Sequence, residues 1–296
     1  MLKNITLLCF SLLCTLPLVA QDDLMSILEE GNDDSETRVV SATFKSTRLV
    51  NGHTTEMRPS GVLEFIISHR FGRLNEGVGQ LFGLDDSQVR IALEYGIWDK
   101  LNVGFGRSSV GKILDGFLKY QVLRQTKSGK MVPISLTAFT SVAVATGPGA
   151  FLESSIDNKF SQRLSYSYQL LAARKMNSNL SLQVMPTMIH RNYVFTAEDP
   201  NDVFALGFGG RYKLTNRLTL NAEYYHQLAE HSDEYYNSFS IGFDIETGGH
   251  VFQLHLTNSR SMIEKGFVAE TSGRWADGAI HYGFNISRVF NLKAKK

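Results

Sequence analysis

His255-Leu256-Thr257-Asn258-Ser259-Arg260 is where residue types and spacing come nearest to covalent chemistry. On an extended chain, an imidazole and a hydroxyl two residues apart share a face, as a general base and a nucleophile must. Phe252, Leu254 and Leu256 take the alternate positions, so His255 and Thr257 would point away from the greasy side. A histidine packed in an interior would be placed the same way. A second group is ionic: Glu64, Arg70, Arg90, Glu94, Asp115, Lys119, Arg163, Arg191, Arg211, Glu223 and Asp244 fall on the proposed inner face of extended segments, with nearly balanced signs. Opposite charges across a water-filled passage would read so, and so would an ion-pair network that fills a lumen, because buried charges must be paired. The acids Asp85, Asp86, Glu153, Asp157, Glu198, Asp199, Asp202, Glu230, Asp233 and Glu234 offer oxygens that suit Ca²⁺, but without EF-hand spacing, and solvated loops carry acid equally. Gly207-Phe208-Gly209-Gly210 has no helix pattern after it and does not read as a phosphate cradle. No catalytic residue, metal set or cofactor motif is assigned.

The elements that must hold these residues are strands. In Gln88-Val89-Arg90-Ile91-Ala92-Leu93-Glu94-Tyr95 the apolar side chains fall on every second position and the charged or small ones fill the gaps. About twelve such segments follow one another, near 61–71, 89–97, 101–107, 114–123, 132–144, 160–173, 180–191, 203–214, 218–228, 239–246, 251–258 and 279–292. Most reach the roughly 9–11 residues that a tilted membrane strand requires. Breaks after the even segments are short (98–100, 126–130, 176–179, 215–217, 247–250), and those after the odd ones are mostly longer. A soluble sandwich has no reason to gather its long loops at one end, whereas an outer-membrane barrel does so. The long loops collect acid and the short turns and tail collect base. Tyr95, Phe160, Tyr212 and Phe290 lie toward segment ends, as interfacial aromatics do. The expected fold is therefore an all-β, transmembrane antiparallel barrel of about twelve strands over 61–292, closed by its first and last strands. Both termini would then lie on the periplasmic side of a Gram-negative outer membrane.

Ahead of the barrel, 1–20 reads as a secretory signal peptide, with Lys3 before an apolar run and Ala20 before Gln21. Both cysteines, Cys9 and Cys14, fall within it, so the mature chain offers no disulfide and no thiolate site. Thirty Lys and Arg residues, one of them Lys3, stand against 29 acids, so the mature chain is formally neutral and no nucleic-acid partner is implied. Residues 21–60 form a leader. Within it 37–58 alternates poorly, carries charge on both faces and contains the turn pair Asn51-Gly52, which suggests a small hairpin in or beneath the barrel mouth, or a solvated arm. Residues 293–296 make a short basic tail.

Phe65-Ile66-Ile67-Ser68-His69-Arg70-Phe71-Gly72, 82–88 (FGLDDSQ), 185–194 (MPTMIHRNYV) and 44–56 (FKSTRLVNGHTTE) resemble an uncharacterised family of Bacteroidota outer-membrane β-barrels. The resemblance spans the mature chain and implies the fold and compartment, with no functional residue to carry over. The stretch at His255 is similar to the His-x-Ser-Asn stretch of outer-membrane phospholipases, with Thr257 in place of the serine. The functional expectation is a narrow channel or small-solute transporter. A partner-docking barrel with a filled lumen is the alternative, and a lipid-modifying enzyme is a more distant one. Outer-membrane lipid, the barrel-assembly machinery and a small solute are the partners implied.

Overall fold

A computed structural model describes residues 37–147, 159–194, 196, 199–228 and 234–293. The proposed signal peptide, the leader up to residue 36, the tail at 294–296 and the loop acids Glu153, Asp157, Glu198, Glu230 and Asp233 lie outside them. The chain forms β1 (Val62–Arg73), β2 (Ser87–Trp98), β3 (Leu101–Ser108), β4 (Ile113–Leu123), β5 (Ser135–Ala145) and β6 (Leu164–Lys175). It continues through β7 (Leu180–Arg191), β8 (Asp202–Lys213), β9 (Leu218–Gln227), β10 (Ser238–Thr247), β11 (His250–Thr257) and β12 (His281–Asn291), with a short helix, α1 (Glu264–Ala269), before β12. Each strand pairs antiparallel with its sequence neighbour, and β1 pairs with β12 from Val62↔Asn291 to Arg73↔His281. The sheet closes as a twelve-stranded barrel with no edge left to pair.

Burial along the strands is inverted relative to a soluble core. In β2, Arg90, Ala92 and Glu94 are buried while Ile91 and Leu93 are exposed. Phe105, Leu118, Tyr168, Phe204 and Leu254 likewise point outward. Such a surface is stable only where the surroundings are apolar, as lipid is. Tyr212 and Phe290 are on this outer surface, and Phe160 is exposed just ahead of β6.

Two connections differ from the pattern expected of the sequence. The one after β3 is only 109–112, and the one after β4 runs 124–134, so β5 begins at Ser135 rather than near 132. Pro133 has no N–H to offer a ladder, and the stretch before it pairs with the leader instead: Val39 and Thr126 form a bridge, and Lys127 N donates to Arg38 O (2.8 Å). β6 also starts later than expected, because 160–163 form a 3₁₀ turn.

The lumen is occupied from both ends. The leader enters at the short-turn end, whereas α1 drops in from the last long connection and packs on β6, β7 and β9. Phe267 and Val268 of α1 join Phe117, Phe139, Leu171, Met185, Ile189 and Tyr225 in one apolar cluster, so one side of the inner wall is greasy. On that side Pro186 sits in mid-strand, and the β6–β7 pairing skips from Gln169↔Thr187 to Ala172↔Val184.

Candidate functional site

Residues 40–58 fold up the lumen as a hairpin and return to the end they came from. Leu49 N donates to Gly52 O (2.8 Å) and Thr54 N to Thr47 O (2.9 Å), closing the bend around Asn51. Glu223 of β9 caps the bend by accepting the N–H groups of Val50 (3.2 Å), Asn51 (2.8 Å) and Gly52 (3.1 Å). Hydrogen bonds to a charged acceptor contribute roughly 1.5–3 kcal/mol each, so Glu223 is the main anchor of the bend. From the other walls, Gln253 donates to Leu49 O (3.0 Å) and Asn285 to Val50 O (2.9 Å). Glycine is required at position 52, where a Cβ would stand 2.1 Å from the Tyr225 hydroxyl. Opposite, a Cβ on Gly209 would lie 2.5 Å from Leu49, so the glycine-rich run of β8 makes room for the hairpin.

The charged residues singled out from the sequence divide into two groups. Glu64 takes the Thr47 hydroxyl (2.8 Å) and Arg58 (3.1 Å), Lys119 donates to Glu56 O (2.7 Å), and Arg211 donates to Ala42 O (3.1 Å). Glu94 holds Lys119 at 3.4 Å with help from Asn102 at 2.9 Å, and Asp244 holds Gln253 at 2.9 Å. Arg90 and Asp115 form a two-pronged pair, with Nε to Oδ1 at 3.0 Å. Arg70 meets the Asn51 side chain. Apart from the Arg90–Asp115 pair, which is closed on itself, these residues hold the hairpin or hold the groups that do.

Arg191 stands apart at the end of β7 in the mouth, where it pairs with Glu270 (3.2 Å). Arg163 does not take an inward strand position. It ends the 3₁₀ turn 160–163, ahead of β6, and lines the same mouth. The alternation that placed it on the inner face does not extend into that turn.

The two inserts meet through Arg48 and Glu264, 3.3 Å apart and both buried. His53 sits beside them, its ring 4.6 Å from Phe117 and 4.4 Å from Phe139. Burial, then the cations Arg48, Lys119 and Arg90, holds this imidazole well below its usual range, and burial pushes the Glu264 carboxyl upward. Beside the hairpin, between Arg48, Asn51, Arg70 and Asn285, a void of about 10 Å³ remains, room for about one water. Neither α1 nor the greasy inner patch was anticipated. The only signals were Leu171, Met185 and Ile189 at inward positions, and a short apolar run at 266–269.

His255 and Thr257 do share the inward face, but the Thr257 hydroxyl is engaged by Ser240 (2.8 Å) and by the Ser259 N–H (3.2 Å). Neither ring nitrogen of His255 has a hydrogen-bond partner among the described residues. The base–nucleophile contact that the sequence spacing allows is not formed. Among the described residues no three His, Cys, Asp or Glu side chains converge as metal ligands.

Residues 44–290 match the family described as membrane bound beta barrel domain (DUF5777). The chain belongs to that family. Its matched span opens at Phe44, so nearly all of the lumen hairpin counts as part of the domain. No curated protein matches the chain. Solved structures similar to it include the NanC porin, with a TM-score of 0.47, 7% identity, and 78% of this chain against 100% of that one. The KdgM porin gives 0.48, 9%, 76% and 99%, and an outer membrane channel from Pseudomonas putida F1 gives 0.44, 12%, 79% and 97%.

Proposed function

We propose that this family member is an outer-membrane channel for small polar solutes, held shut at rest by its own leader hairpin, with both termini on the periplasmic side. One observation carries the reading: the hairpin is fixed to the wall mainly by hydrogen bonds and ion pairs to charged and amide side chains, centred on Glu223. A polar seat of this kind can exchange protein partners for water when the hairpin leaves, whereas an apolar seat could not. The wall that remains would be lined by Glu64, Arg90, Glu94, Asp115, Lys119 and Arg211, all buried here and suited to a hydrated passage.

A second reading, a docking barrel with a permanently filled lumen, is favoured by the tightness of the fit, since the void beside the hairpin is only about 10 Å³. Tethering distinguishes the two. Asn51 and Ser240 touch across the seat, Nδ2 to Oγ at 2.9 Å, so an Asn51→Cys/Ser240→Cys pair would pin the bend to the wall. In planar bilayers, brief openings of the reduced protein that vanish on oxidation support the channel. Silence in both states, from a barrel still resistant to detergent until heated, supports the docking barrel.

A further inference from the structure

One ionisable ring sits deep in the lumen with nothing to bond. His53, on the returning arm of the hairpin, is fully buried, and neither of its ring nitrogens has a hydrogen-bond partner among the described residues. Its backbone is fixed: it is bridged to Arg48 across the bend, and Gln183 of β7 donates to its carbonyl (2.8 Å). The ring itself lies between Phe117 of β4 and Phe139 of β5, whose side chains carry no polar atom. Imidazole is the side chain whose ordinary titration falls between about pH 5 and 8. Held here it stays neutral, because burial, then Arg48, Lys119 and Arg90, oppose a proton.

The polar groups around the ring are already committed. Lys119 of β4 is held by Glu94 of β2 (3.4 Å) and by the Glu56 carbonyl, and Arg90 of β2 by Asp115 of β4. Arg58 and Glu64 pair at 3.1 Å. From β9, Glu223 is occupied by the N–H groups of the bend, and the Tyr225 hydroxyl is turned to Met185 Sδ (3.3 Å). From α1, Glu264 stands 3.6 Å from the ring's Nε2 but serves Arg48 at 3.3 Å. A proton on His53 would therefore put a charge between two phenyl rings, beside Arg48, Lys119 and Arg90, with one shared carboxylate to answer it. Once the hairpin has left, water carries the same charge without that cost.

We propose that His53 is an acid-sensitive latch: while neutral it lets the hairpin stay seated, and its protonation drives the hairpin out of the lumen. The proposal rests on the reading that the hairpin can leave, and not on whether the barrel then conducts. A base that binds its proton less readily when seated stabilises the seated form above its ordinary titration range, near pH 6.5, and that stability is lost as pH falls below it. Glu264 acts in the opposite sense, since burial raises its carboxyl and the seated form takes up that proton more readily. The response between about pH 7.5 and 5.5 is therefore about tenfold at most. The test is hydrogen exchange of the folded, full-length protein in neutral detergent, read as protection of the Leu49, Asn51 and Thr54 N–H groups after correction for the intrinsic pH dependence of exchange. That protection should fall severalfold on acidification, while the amides of β2 keep theirs. His53→Phe, which keeps a flat ring among the phenylalanines, and His53→Gln should both abolish the fall, although His255 and His281 of the wall are still present. Loss of hairpin protection at acid pH from a barrel that never conducts would support the latch and count against the channel. Hairpin protection that does not change with pH would overturn the inference, as would an equal fall in the folded His53 variants.

Discussion

Deleting residues 40–57 should convert a barrel that is silent at rest into one that conducts continuously, with solute uptake by liposomes rising on the order of tenfold, because lumen occlusion and lining charge govern passage. The wall can stand without the insert: all twelve strand pairings, including β1 with β12, are made between strands, and none uses the hairpin. Much of what the deletion exposes is polar. Glu223 loses three N–H donors, Lys119 loses the Glu56 carbonyl and Glu64 loses the Thr47 hydroxyl, and each of these groups is then hydrated. Glu223→Ala is the milder form of the same change. It removes only the anchor of the bend and should raise the frequency of openings without making them permanent. A deletion variant that folds, by heat-modifiability, and still passes nothing would sink the channel reading.

Arg90→Met should destabilise the barrel by about 3–5 kcal/mol, because it leaves Asp115 charged, buried and without its two-pronged partner. The readout is the temperature at which the compact band in unboiled samples gives way to the extended one. The double variant Arg90→Met/Asp115→Leu should recover most of the loss, since replacing a whole buried pair by apolar groups is often close to neutral. If the single variant melts with the parent, the pair is solvated and its two-pronged geometry contributes little.

How much of this was legible in the sequence depends on the kind of signal. The strands read clearly because period-two alternation is local: Val89 to Tyr95 carries its own instructions for which side faces out. The barrel read clearly because short and long connections alternate. Arg163 was misplaced because alternation says nothing about where a strand gives way to a 3₁₀ turn. The start of β5 was missed because Pro133 and the pairing of 125–127 with the leader act across distant sequence. The lumen contents were hardest. Charges on both faces of 37–58 hinted at an insert, but Glu223 lies some 170 positions from the bend it caps, as the Asn51 contact shows. No local pattern marks such a partner. The same holds for α1, six residues whose helix is sustained by the greasy wall behind it rather than by its own length.

The hairpin's two arms leave the lumen by one opening: Val39 is bridged to the turn after β4, and Ser60 N donates to Asp99 in the turn after β2 (3.0 Å). No part of the described chain is threaded through the ring from one mouth to the other. The order of assembly is thereby free, since the cylinder can zip shut at β1 and β12 first and receive the insert afterwards, and the insert can be withdrawn without unzipping a strand. Whatever bulk is fused upstream of residue 37 would never have to pass the constriction. A partner seizing the leader from that side could pull the obstruction clear by traction alone.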